Sequence, residues 1–248
     1  MLSLSFNWRL AVALWALGLP GVVVATTLAL PQLLPTGPLH APLSVIMLAA
    51  AIQSSVLLGL SSFGGTVAAS KVHLRSPLLD AWCNRTPAPS GWTQMLIAGA
   101  VGGLLGTMLL LSLPSFTPDA LLAAQYRSSL PLVVRLLYGG ITEEILIRWG
   151  LMSGVLWALW RVLQRGDGEP RAAVVAAAIF LSAVIFGLGH LPAAAALVSQ
   201  LDAGIFIYIV TANAVFGLVA GYLFWKFGLE SAMVAHVLAH AGAFALGA

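Results

Sequence analysis

The chain has 248 residues, of which 60% are hydrophobic and only 8% charged, and its formal net charge is +3. Ordinary soluble domains carry about 25% charged residues, so this composition excludes a soluble globular protein and points to an integral membrane protein. The positive residues are spread through short polar segments without a dense basic patch, which argues against a nucleic-acid partner and for a role in membrane topology.

Arg9 precedes an apolar run over residues 10–30. That run is longer than the h-region of a secretory signal, about 7–15 residues, and no small-x-small cleavage site closes it, so it reads as the first membrane helix. Further spans are expected at 42–68, 94–113, 130–164, 171–190, 203–226 and 229–247. None of them alternates in the manner of a barrel strand, so the expected fold is all-α, a polytopic transmembrane bundle of about seven or eight helices. Breaker residues separate the early spans: Pro31, Pro35, Gly37 and Pro38, then Pro77, Pro87, Pro89 and Gly91, then Pro114 and Pro118. No internal repeat is evident, and residues 1–248 read as one integral membrane domain. The lone cysteine, Cys83, falls in a polar segment, which precludes an intrachain disulfide and a cysteine-based metal cluster.

The fourth segment is long for one crossing, since about 35 helical residues reach roughly 50 Å. A break or a reentrant turn near Gly150 is therefore expected. With a cytoplasmic N-terminus and this segment crossing once, Arg9, Lys71, Arg75, Arg85, Arg161, Arg165, Arg171 and Lys226 all fall on the cytoplasmic side, leaving Arg127 in an outer loop. Gly99, Gly102, Gly103 and Gly106, and the Gly217/Gly221 pair, have the small-residue spacing of close helix contacts.

Against this apolar background stands Glu143-Glu144-Ile145-Leu146-Ile147-Arg148. An ionised side chain in the bilayer centre costs several kcal/mol, about 2.5–3.5 on insertion scales, so such residues usually line a functional cavity. On an α-helix Glu144 and Arg148 lie within about 40° of each other while Glu143 points about 100° from Glu144. Arg148 can thus neutralise Glu144, which leaves Glu143 as the candidate general base. Tying helices together through Arg148 or Arg135 is the structural alternative. Late apolar spans add His190, which follows Phe186 by four residues, and His236 with His240, which share a face. Imidazole shuttles protons near neutral pH, donates to an oxyanion or ligates a metal. His40 and His73 fall in expected loops, and Asn213 reads as helix glue. Val237 stands where a His-Glu-x-x-His helix has glutamate, so that metalloprotease motif is absent. Three histidines with Glu143 could still complete a divalent site such as zinc, and the sequence leaves metal-bound and metal-free water both open.

In order, Glu143-Glu144-x-x-x-Arg148, Phe186-x-x-x-His190 and His236-x-x-x-His240 resemble the three motifs of the CPBP intramembrane proteases, the CAAX protease and bacteriocin-processing group also called Abi. The third motif usually ends in Asn or Asp, so His240 departs from the pattern. The resemblance covers about residues 130–247 as a catalytic core, with 1–129 as N-terminal helices. It implies a peptidase acting on a membrane-associated or lipid-anchored protein in the membrane of a bacterial or archaeal cell. Glu143 and His190 would activate water, His236 and His240 would stabilise the oxyanion, and Glu144 and Arg148 would support them. It does not imply a prenyl pocket in this chain. A non-catalytic immunity or regulatory protein of the same fold is the alternative. A proton or ion carrier is a third reading, weakened because no paired broken helices of an inverted repeat are present.

Overall fold

The computed structural model describes residues 6–34, 38–125 and 130–247, with backbone alone at Ala124 and Gln125. The described residues form nine helices and no strand. They are α1 (Trp8–Leu33), α2 (Leu43–Val72), α3 (Pro77–Asn84), α4 (Trp92–Ser115), α5 (Asp119–Gln125), α6 (Leu132–Leu163), α7 (Ala172–Leu197), α8 (Ala203–Phe227) and α9 (Leu229–Ala245). Six of them are long and apolar enough to cross a membrane, and α9 is a shorter apolar helix of 17 residues. Each expected span is therefore present as a helix, and the chain is a polytopic helical membrane protein.

Boundaries differ from the hydropathy reading where local chemistry tolerates more helix than expected. α1 runs through Pro31 to Leu33, because Pro31 falls at the start of the last short turn, which follows a π-helical stretch over Ala25–Ala29. The proline-containing connection after α2 holds α3, with Pro77 at its start, where a missing N–H costs nothing. Cys83 is half-buried on this short helix, and burial together with the charge of Asp80 pushes its thiol up. Arg127, expected in an outer loop, lies outside the described residues.

α6 does not break at Gly150. It is continuous over 32 residues, and Gly150 is small because it sits against Ser61 of α2. The bend comes in α7 instead, where His190 takes a turn conformation between two helical runs and Pro192 follows, removing the N–H that would continue the ladder.

α9 packs along α4 with little space between their backbones. A Cβ at Gly99 would strike the Ser231 carbonyl, and one at Gly103 or Gly106 would strike Leu238 or Ala239. Thr107 of α4 lies at this seam, and its hydroxyl donates to Gly103 O at 3.0 Å. At the start of α9, Glu230 accepts from Leu79 N at 2.8 Å and from the Ser76 hydroxyl at 2.9 Å, so it caps α3 from a distant part of the chain. Leu229 N bonds the Arg75 carbonyl at 3.0 Å beside it. The early helices are thereby fixed to the late ones that bear the histidines.

Candidate active site

The Glu143–Arg148 segment does not form an ordinary α-helix. Residues Arg135–Glu143 and Ile145–Met152 are π-helical, the wide turn in which each N–H reaches back five residues and which is found mostly at functional sites. Two side chains follow the same spacing: the Thr142 hydroxyl lies 3.2 Å from Leu137 O, and the Ser153 hydroxyl donates to Arg148 O at 3.3 Å. Residues five apart are brought onto one face, which groups Tyr138 with Glu143 and Gly139 with Glu144. α1 supports this turn from outside. Thr142 Oγ1 donates to Gly18 O at 2.7 Å, and a Cβ on Gly21 would overlap both Thr142 Oγ1 and the Leu137 carbonyl.

Glu144 and Arg148 form the expected pair, with Arg148 Nε 3.2 Å from Glu144 Oε2. Both are fully enclosed, at 0% and 1% exposure, so their charges meet no solvent. The second oxygen of Glu144 lies 2.7 Å from Nδ1 of His236, itself buried. A carboxylate can only accept, so His236 carries its proton on Nδ1, and Nε2 donates only when the ring is an imidazolium. Nη1 and Nη2 of Arg148 have no hydrogen-bond partner among the described residues. The guanidinium carbon instead stands 4.7 Å from the centroid of Phe186, a cation–π contact in a dry environment.

Phe186 gathers the three motif segments. Its ring meets His190 edge-on at 4.8 Å and His236 edge-on at 6.4 Å while its face takes Arg148. His190 is half-buried, and its Nδ1 lies 2.9 Å from Phe186 O. A carbonyl accepts, so this contact puts the proton on Nδ1 and leaves the Nε2 lone pair free to take another. On α9, His236 and His240 stack at 5.0 Å, and Phe216 of α8 packs on His236 at 4.7 Å. Both Nε2 atoms turn toward Gly139: a Cβ there would lie 3.3 Å from that of His240 and 3.6 Å from that of His236.

The fold thus brings Glu144, Arg148, Phe186, His190, His236 and His240 into one cluster. Glu143 stands beside them on α6, half-buried and without a hydrogen bond among the described residues. Arg135, the other candidate partner for a carboxylate, donates instead to Leu130 O at 3.2 Å. Asn213 donates to Ile209 O of its own helix at 2.8 Å. Among the described residues no group of three or more His, Cys, Asp or Glu side chains is placed to hold a metal ion. Sequence reasoning missed Gly139 and Phe216. The Gly139-Gly140 pair ahead of two glutamates was a usable signal, whereas nothing distinguishes Phe216 from other apolar residues of its helix.

Residues 126–242 match the family model described as type II CAAX prenyl endopeptidase Rce1-like. That segment resembles the Rce1-like family. Neither a curated protein nor a solved structure matches the chain. The Rce1-like segment contains all seven motif positions from Glu143 to His240, and the resemblance drawn from the motifs holds over nearly the same stretch. It leaves out α1 to α5, so Gly18 and Gly21, which brace the π-helical turn, lie outside the Rce1-like match.

Proposed function

We propose that this protein is an intramembrane endopeptidase that hydrolyses a peptide bond of a membrane-associated or lipid-anchored protein. The observation that carries the reading is the meeting of three separate apolar helices on Phe186, with a fixed His190 tautomer on one side and the Glu144–His236 bond on the other. Water attacks the carbonyl carbon as Glu143 takes its proton, and the Nε2 lone pair of His190 assists that transfer. The carbonyl oxygen becomes the oxyanion of a tetrahedral intermediate, which His236 and His240 stabilise by hydrogen bonding. Collapse then expels the amine, which leaves with the proton returned from the carboxyl group. Glu144 and Arg148 act by orienting His236: the carboxylate takes the hydrogen bond of its Nδ1 and Arg148 holds the carboxylate in place. Residues 1–248 act as one membrane domain, with the N-terminal helices as scaffold for the core over 130–247.

The test is cleavage of a membrane-tethered reporter by the wild type and by His190→Ala. Loss of cleavage in the variant at unchanged expression is the expected result. Equal cleavage by both, or none by either, favours a non-catalytic immunity or regulatory protein built on the same fold.

In this reading the membrane is that of a bacterial or archaeal cell and the N-terminus is cytoplasmic; the positive residues at the ends of α2, α6 and α8 support that orientation. Asp167→Cys, made in a Cys83→Ala background, should react with a membrane-impermeant maleimide in inverted vesicles and be protected in intact cells. Labelling from outside intact cells reverses the orientation.

A further inference from the structure

A second feature lies between α2 and α6, away from the histidines. A groove of about 530 Å³ runs between the two helices, lined by residues that include Leu60, Gly64, Val67, Ala68, Gly154 and Trp157. Small-molecule sites occupy about 300–1,000 Å³. The helices run in the same direction, since Leu58 and Ile145 both abut Gly18, Ser61 abuts Gly150, and Ala68 and Trp157 both line the groove further along. Two glycines of this pair of helices make a packed join: a Cβ at Gly65 would strike Trp149, and one at Gly150 would strike Ser61. Two others do not. A Cβ at Gly64 or Gly154 would meet nothing within 4 Å, so these glycines open the groove and leave it unfilled by protein.

Both lining faces end in a cation. On α2 the stripe Leu60, Gly64, Val67 continues one turn on to Lys71, and on α6 the stripe Gly150, Gly154, Trp157 continues to Arg161. Lys71 and Arg161 stand in the last turns of their helical runs, both are exposed, and no carboxylate lies within 4 Å of either among the described residues. The result is an apolar trough within the hydrocarbon with two unneutralised positive groups where it reaches the membrane surface.

The geometry points to a bound anionic phospholipid, with an acyl chain against Gly64 and Gly154 and its phosphate between Lys71 and Arg161. Charge decides against a second copy of this chain as the occupant. A two-fold axis along the membrane normal would set Lys71 and Arg161 of one copy beside those of the other. A seated lipid would extend the join of α2 to α6, which the Trp149 indole N–H also holds at 3.3 Å from Ser62 O and 3.2 Å from Thr66 Oγ1. The site stands whether or not the chain hydrolyses peptides.

The experiment is native mass spectrometry of the full chain in detergent, offered phosphatidylglycerol or phosphatidylcholine with the same acyl chains. Wild type should retain phosphatidylglycerol preferentially, Lys71→Gln and Arg161→Gln should each lower that retention about fivefold, and Gly154→Leu should remove it. Gly64→Leu fills the same trough from the opposite wall, and melting temperatures establish that each variant is folded. Equal retention of the two lipids by wild type, or retention unchanged in folded Gly154→Leu and Gly64→Leu, overturns the proposal. So does a wild-type dimer that dissociates in those variants without change in bound lipid.

Discussion

Glu143→Gln should lower hydrolysis of a membrane-tethered peptide reporter by on the order of 10²–10⁴, the usual contribution of a positioned base, with the melting temperature unchanged. The amide keeps the size of the side chain but cannot take a proton from water. Stability should hold because Glu143 is half-buried and makes no hydrogen bond among the described residues, so no buried partner is left unsatisfied. Measuring cleavage rate and thermal unfolding on the same preparation separates the two effects. A variant that melts much lower, or that cleaves at the wild-type rate, contradicts the role of Glu143 as base.

Glu144→Ala should behave differently, with loss of activity accompanied by a loss of about 3–5 kcal/mol in stability, because removing one partner of a buried ion pair strands the other. Arg148 is 1% exposed and pairs with no other carboxylate among the described residues, and His236 would lose its Nδ1 partner at 2.7 Å. Replacing both members with apolar residues of similar size, Glu144→Leu with Arg148→Met, should recover much of the stability and none of the activity. Chemical denaturation in detergent micelles reads the first quantity and reporter cleavage the second. Recovery of cleavage in the double variant would mean that this pair does not orient His236.

Hydropathy alone revealed the membrane helices, because hydrocarbon forces any spanning segment to satisfy its backbone internally and to be apolar along its length. It said little about α3 and α5, which are too short and too mixed in composition to register as periodic patterns. The Glu144–Arg148 pair and the shared face of His236 and His240 were legible from spacing. The π-helical turn was not read, because the acidic segment was placed with the α-helical rotation of about 100° per residue. Tyr138, Glu143 and Arg148, each five residues on from the last, were the available hint. His190 lies at the bend of α7 rather than near the end of an upright span, and Gly150, which looked like a break, is a contact with Ser61. The link from Glu144 to His236 joins residues 92 apart, and no local pattern encodes it.

The bond from Thr142 to the Gly18 carbonyl has a bearing on how this polypeptide can be dissected. The recognisable half is not self-sufficient: excising residues 126–242 as a minimal module would unplug a buried hydroxyl from its acceptor and bare the flank of the widened turn to lipid. Bringing back the first hairpin in trans, as a separately expressed fragment, is the natural route to a reconstituted whole.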